Sequence, residues 1–114
     1  MNIEAMAISA LRAAGIEAFA DVPKDRPDEF ATVEALGGQT SAGGWLAHPG
    51  VAVQAWAATR YRASELIERC RAAMVALADD PRVLSIEANP PYLFRSEEGI
   101  PRYQATFDFT IHNR

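Results

Sequence analysis

Residues 51–78, VAVQAWAATRYRASELIERCRAAMVALA, change hydrophobic period part-way along, and that change decides the fold class. Over 51–58 apolar side chains alternate: Val51, Val53 and Ala55 share one face, Gln54 and Trp56 the other. A period of two is that of a strand. From residue 60 the spacing becomes three and four, with Leu66, Ile67, Cys70, Ala73, Met74 and Leu77 on one stripe. That is the period of an amphipathic helix, predicted over 60–78. Thr59 is positioned as N-cap, and Asp79-Asp80-Pro81 stops the helix because proline has no N–H to continue it. Glu65 with Arg69, and Glu68 with Arg71, are spaced for exposed ion pairs.

Toward the C-terminus, 83–88 (VLSIEA) reads as a strand. Asn89-Pro90-Pro91 breaks it, Tyr92-Leu93-Phe94 resumes it, and 96–101 turns the chain. Residues 102–112 alternate cleanly, with Tyr103, Ala105, Phe107, Phe109 and Ile111 on one face and polar residues on the other. This is the pattern of a half-buried antiparallel strand. Toward the N-terminus, 30–36 (FATVEAL) alternates too, and the glycine-rich run 37–50 predicts a long flexible connection between it and the 51–58 strand. The acidic stretch 17–29 contains Pro23 and Pro27, which forbid a helix interior, with Ala18–Val22 as a short edge strand. Residues 2–14 read as a helix with Asn2 as N-cap and Gly15 beyond its end. The expected class is α+β: one domain over 1–114, an about four-stranded, mainly antiparallel sheet, and two helices packed on one face.

Composition bounds what such a domain can do. Of 114 residues 49% are hydrophobic, but 22 of those are alanine and only 25 are Leu, Ile, Val or Phe. That is just above the roughly 20% below which disorder becomes the default, so the core of large side chains is thin. The net charge is -4, and Glu17 to Glu34, with six acids and two bases, carries all of it. An acidic balance disfavours nucleic acid as the main partner, because phosphate binding needs clustered Lys and Arg. No apolar run is long enough to span a membrane, and the first residues lack the basic flank of a secretory leader. A lone Cys70 excludes an internal disulfide.

The chemical motifs are weak. Cys70 sits on an apolar helical stripe, where it packs rather than attacks. His48 and His112 belong to no metal-spaced cluster. Gly37, Gly38, Gly43 and Gly44 lack the Lys-Ser/Thr of a P-loop, and a strand follows them. Asp28-Glu29, Asp79-Asp80 and Glu97-Glu98 lie in polar or Pro-bearing surroundings, whereas an acid/base pair needs one desolvated member. Neither catalysis nor a cofactor is expected. Trp45 and Leu46 in the glycine-rich run either fold back or are presented to a partner. Trp56 implies a strand covered on both faces, or a simple core position.

Three stretches carry a resemblance: VPKDRPDEFATVEALGG (22–38), VAVQAWAATRYRASELIERCRAAM (51–74) and PRYQATFDFTIHNR (101–114). Together they resemble the tail terminator, or tail-completion, proteins of siphovirus-type bacteriophages. The resemblance implies a non-enzymatic virion protein of the tail or neck, assembled in the host cytoplasm. It implies a homo-oligomeric ring, hexameric in the usual case, that caps the tail tube protein, stops its polymerisation and presents a surface to the head–tail connector protein. DNA would pass through the lumen without specific binding, and no membrane is involved. On this footing Gly43, Gly44, Trp45 and Leu46 are expected at a tube or subunit interface. Asp25, Arg26, Asp28 and Glu29 are expected to meet a basic complement on a neighbouring subunit, Arg60 and Arg62. A thin core suits a subunit that completes its burial against neighbours. The competing readings are a head-completion or stopper protein, a small cytosolic ligand-binding domain or enzyme using Tyr92, Tyr103 and His112, and a regulatory or toxin–antitoxin module.

Overall fold

A computed structural model of the chain describes residues 2–40, 44–94 and 99–112. Helix α1, Ile3–Ala13, begins at the expected cap, where the Asn2 carboxamide oxygen accepts from the Ala5 N–H at 3.0 Å. It ends in a Schellman closure: Ile16 N–H donates to the Leu11 carbonyl, Gly15 N–H to that of Arg12, and Gly15 takes φ +82. Leu11 and Ile16 are both buried, completing the apolar contact that accompanies this motif. Helix α2, Arg60–Val75, starts with the Thr59 hydroxyl accepting from the Arg62 N–H, then tightens into a 3-10 turn over Ala76–Asp79.

Asp80 turns the chain into the next strand. Its carboxylate accepts from the backbone N–H, Nε and Nη2 of Arg82 at 2.9, 3.0 and 2.8 Å. The Arg82 side chain, and then its N–H, pull the Asp80 carboxyl down from 3.8 to about 2. A carboxyl lowered in the folded state adds stability above its ordinary pKa and loses it as the pH falls through the folded value. Asp80→Asn is therefore expected to lower the urea midpoint at neutral pH. Its gap to the unsubstituted chain should close between pH 3.8 and about 2. A gap that stayed constant with pH would show that the clamp is not ionic.

The strands are β1 (Ala18–Phe19), β2 (Phe30–Thr40), β3 (Leu46–Trp56), β4 (Val83–Ala88), β5 (Tyr92–Leu93) and β6 (Arg102–His112). They form one sheet in the order β1-β2-β3-β6-β4, with β5 also on β6. Both helices lie on one face. Ile3, Ala7 and Leu11 of α1, and Leu66, Ile67, Cys70 and Met74 of α2, meet the inward residues of the strands, among them Val33, Val53, Phe107 and Phe109. Among the described residues no polar or charged side chain is buried.

The α+β class and the single helical face agree with the sequence reading; the sheet does not. It has six strands rather than four, and it is mixed. Ala18–Phe19 pairs parallel with Ala31–Thr32, and Asn89-Pro90-Pro91 divides one expected strand into β4 and β5, both of which pair with β6. The larger correction concerns 37–50. This is not a long flexible connection: Gly37–Thr40 pairs with Ala47–Gly50 as a continuation of the hairpin. A register shift between Ala35 and Gly37, with Gly37 at φ +80, is a bulge that breaks the alternation and hides the strand. Gly38 is required where it stands, because a Cβ there would overlap the His48 carbonyl oxygen and come within 2.7 Å of Pro49 Cα.

Candidate functional site on the open sheet face

The helices leave the second face of the sheet to the chain's own loops. Register places its side chains in rows. Phe30 pairs with Trp56 and Trp56 with Arg102; Thr32 with Gln54, Gln54 with Gln104 and Gln104 with Tyr92; Glu34 with Ala52 and Ala52 with Thr106.

The first row is a second, smaller core. Phe30 and Trp56 stack at 5.5 Å between centroids and 8° between planes, and Phe19 meets Phe30 edge-on at 6.2 Å. Trp56 is 4% exposed, and its Nε1–H donates to the Thr32 hydroxyl at 3.0 Å. The Arg102 guanidinium lies 4.3 Å from the ring centres of both Trp56 and Phe94, and that of Arg26 lies 5.7 Å from Trp56. A guanidinium set against an indole face gains from the ring quadrupole. The second cover that Trp56 called for is thus supplied by Phe30, Arg102 and the loop that carries Arg26.

The second row is a polar relay. Gln54 Nε2 donates to Gln104 Oε1 at 2.7 Å, Gln104 Nε2 donates to the Tyr92 hydroxyl at 2.6 Å, and Arg102 Nη1 donates to Gln54 Oε1 at 3.4 Å. Asn89 Nδ2 closes the far side on the Thr106 hydroxyl and the Asp108 carboxylate, at 2.9 and 3.1 Å. These bonds fix the amides in one orientation. Beside them opens a cavity of about 550 Å³, bounded by Glu4, Asp21, Arg26, Glu34, Gln54, Trp56 and Arg102. Glu4 enters from α1, where its carboxylate accepts from the Ala35 N–H at 3.1 Å. A concave site with a few convergent polar groups is the usual form of a binding site.

The residues singled out from sequence fall in four places. Arg26 is at this cavity. Glu29 pairs with Arg62 of its own chain at 2.7 Å, and Arg62 also reaches Glu65 at 3.7 Å. The expected Glu65–Arg69 pair is replaced by Arg62–Glu65, while Glu68–Arg71 forms at 3.3 Å. Asp25, Asp28 and Arg60 are exposed. At the hairpin end Gly44 takes φ +72, Trp45 is 62% exposed and Leu46 begins β3; Gly43 lies outside the described residues. The acidic loop and the hairpin end are therefore separate features. Thr32, Glu34, Gln54, Arg102 and Gln104 were missed as site residues. Alternation puts them on the polar face, but only register brings them side by side.

Burial pushes the Cys70 thiol up to about 12, against a smaller opposing effect of Arg69. The thiolate is the reactive form, so Cys70 is expected to resist a disulfide thiol reagent such as dithionitrobenzoate in native buffer and to react fully in guanidinium. Rapid native labelling would place it at an accessible site. His48 Nδ1 lies 3.3 Å from the Thr110 hydroxyl, and Tyr92 and Tyr103 occupy opposite faces of the sheet. Among the described residues no group of three His, Cys, Asp or Glu is arranged to hold a metal ion. Asp79-Asp80 is committed through Asp80 to Arg82, and Glu97-Glu98 lies outside the described residues. No helix among the described residues is long and apolar enough to cross a membrane. No family model and no curated protein matches the sequence.

Proposed function

We propose that this chain is a non-enzymatic structural subunit of a siphovirus-type phage tail, a tail terminator that assembles as a ring, hexameric in the usual case, on the end of the tail tube. The ring would stop polymerisation of the tube protein, offer the head–tail connector its docking surface, and let DNA pass without specific contacts. The observation that carries this reading is the placement of the three resembling stretches. Beyond the loop of 22–29 they fall on β2, β3, α2 and β6, which adjoin one another as the centre of the sheet and the helix covering it. A resemblance scattered over unconnected surface would be weaker support.

The hairpin end with Trp45 and Leu46 is the segment assigned to tube or neighbour contact. Asp25 and Asp28 of the acidic loop are assigned to a neighbouring subunit together with Arg60, while Arg26 lines the open-face cavity and Glu29 and Arg62 serve within the chain. A competing ligand site built from Tyr92, Tyr103 and His112 has no geometric support, because the two tyrosines lie on opposite sheet faces.

The test is polymerisation of purified tail-tube subunit from the same phage or prophage, followed by negative-stain microscopy. Tubes capped by a ring and shortened as the chain is added are the expected result. Trp45→Ser is expected to weaken capping several-fold without loss of fold. Tube lengths unchanged at excess chain would overturn the reading.

A further inference from the structure

The open-face cavity is charged at both ends and neutral between them. Its first row presents Arg26 and Arg102 around Trp56; Thr32 and Gln54 follow; Glu34 stands in the third row, with Glu4 against Ala35 beside it and Asp21 in the wall. The step from Phe30 to Glu34 is four strand residues, about 13 Å at the usual rise. None of these charged side chains has an ion-pair partner among the described residues, where the pairs formed are Arg62 with Glu29 and Glu65, Arg71 with Glu68, and Arg82 with Asp80. Arg102 packs its guanidinium against Trp56 and Phe94 and donates Nη1 to Gln54 Oε1, and its Nε–H is buried without a partner. The paired positive charge of Arg26 and Arg102 at this end suits a carboxylate. Ala52, the smallest residue of the three rows over β3, lowers the floor at the acidic end.

We propose that this cavity docks an extended peptide segment of a partner protein that bears an acidic and a basic side chain four positions apart. The acid lies between Arg26 and Arg102, and the base meets Glu34, Glu4 and Asp21. An extended chain points alternate side chains the same way, so residues i and i+4 share a face about 13 Å apart, the spacing of the first and third rows along a strand. Residue i+2 stands over Thr32 and Gln54, where a small or hydroxyl side chain fits. The docking surface is distinct from the hairpin end and requires no ring.

The test is selection of a random heptapeptide library, displayed in vitro, on the full chain and on Arg26→Glu, with synthetic winners measured by calorimetry. Enrichment of Asp or Glu with Arg or Lys at i,i+4 is expected. Arg26→Glu should weaken the winners at least tenfold, as should replacing the peptide's acid by its amide. Glu34→Lys, on the other pole, should abolish the preference for the basic residue and keep that for the acid. No enrichment, equal binding of neutral peptides, or winners indifferent to both substitutions would overturn the proposal, as would binding of free amino acids as tightly as of the peptides.

Discussion

Trp56→Ala is expected to cost about 3–5 kcal/mol of folding stability, the usual range for truncating a buried Trp or Phe. Trp56 lies on the sheet face turned away from both helices, where a residue of a two-layer domain is ordinarily solvated and its loss costs about half a kcal/mol or less. Here it is 4% exposed, stacked on Phe30, bonded to Thr32 and flanked by two guanidiniums. Against a total of about 5–15 kcal/mol for a domain, that loss removes a large share. Trp56→Phe separates the contributions. It keeps the stack on Phe30 and removes the indole donor, so its cost should stay near 1 kcal/mol for the hydrogen bond plus a small packing term. Urea titration monitored by far-UV circular dichroism measures both. A cost for Trp56→Ala below about 1 kcal/mol would show that the aromatic row is surface decoration.

The fold was legible where one residue type has one physical use. Asn2, Gly15 and Thr59 cap helices in the structure as their chemistry dictates, because an N-cap needs a short acceptor and a left-handed closure needs glycine. The strands at 30, 51, 83 and 102 were legible through alternation. Gly37 was misread because a bulge and a flexible linker use glycine alike in sequence, and only pairing with the facing strand separates them. The parallel β1 rests on two residues, too few for any period to register.

The site was legible by halves. Alternation put Gln54 with Trp56 on one face of their strand and Arg102 with Gln104 on one face of theirs, yet nothing local states that Trp56 pairs with Arg102 rather than with Gln104. A slip of two residues would keep every face and scramble every row, so the relay and the cavity depend on register. The acidic loop shows the same limit. Its charge was plain, but the partner of Glu29 stands 33 residues away in the sequence, at Arg62, and the pair forms within the chain.

Phe107→Ala is expected to be as damaging as Trp56→Ala, at the upper end of about 3–5 kcal/mol, for a reason rooted in composition. The cost of a large-to-small substitution rises with the cavity that neighbours fail to fill. Phe107 is fully buried on β6, paired across the sheet with Val51 and Ala88, in a core where Ala7, Ala31, Ala55, Ala63 and Ala105 are fully buried as well. Alanine has no rotamer with which to move into a void, so an alanine-lined core relaxes little. A thin core thus concentrates stability in a few large side chains: Phe107, Phe109, Leu11, Ile67 and Met74 are its largest fully buried members. Phe107→Leu should cost far less, about 1 kcal/mol, because most of the volume remains. The mild pair Phe107→Leu and Trp56→Phe then tests whether the two faces hold independent cores. Phe107 pairs at Val51, five residues along β3 from Trp56 and on the opposite face, about 17 Å by strand rise. Sites so separated add within about 0.5 kcal/mol. A larger departure from additivity would mean that the sheet transmits strain between its helical and its open face.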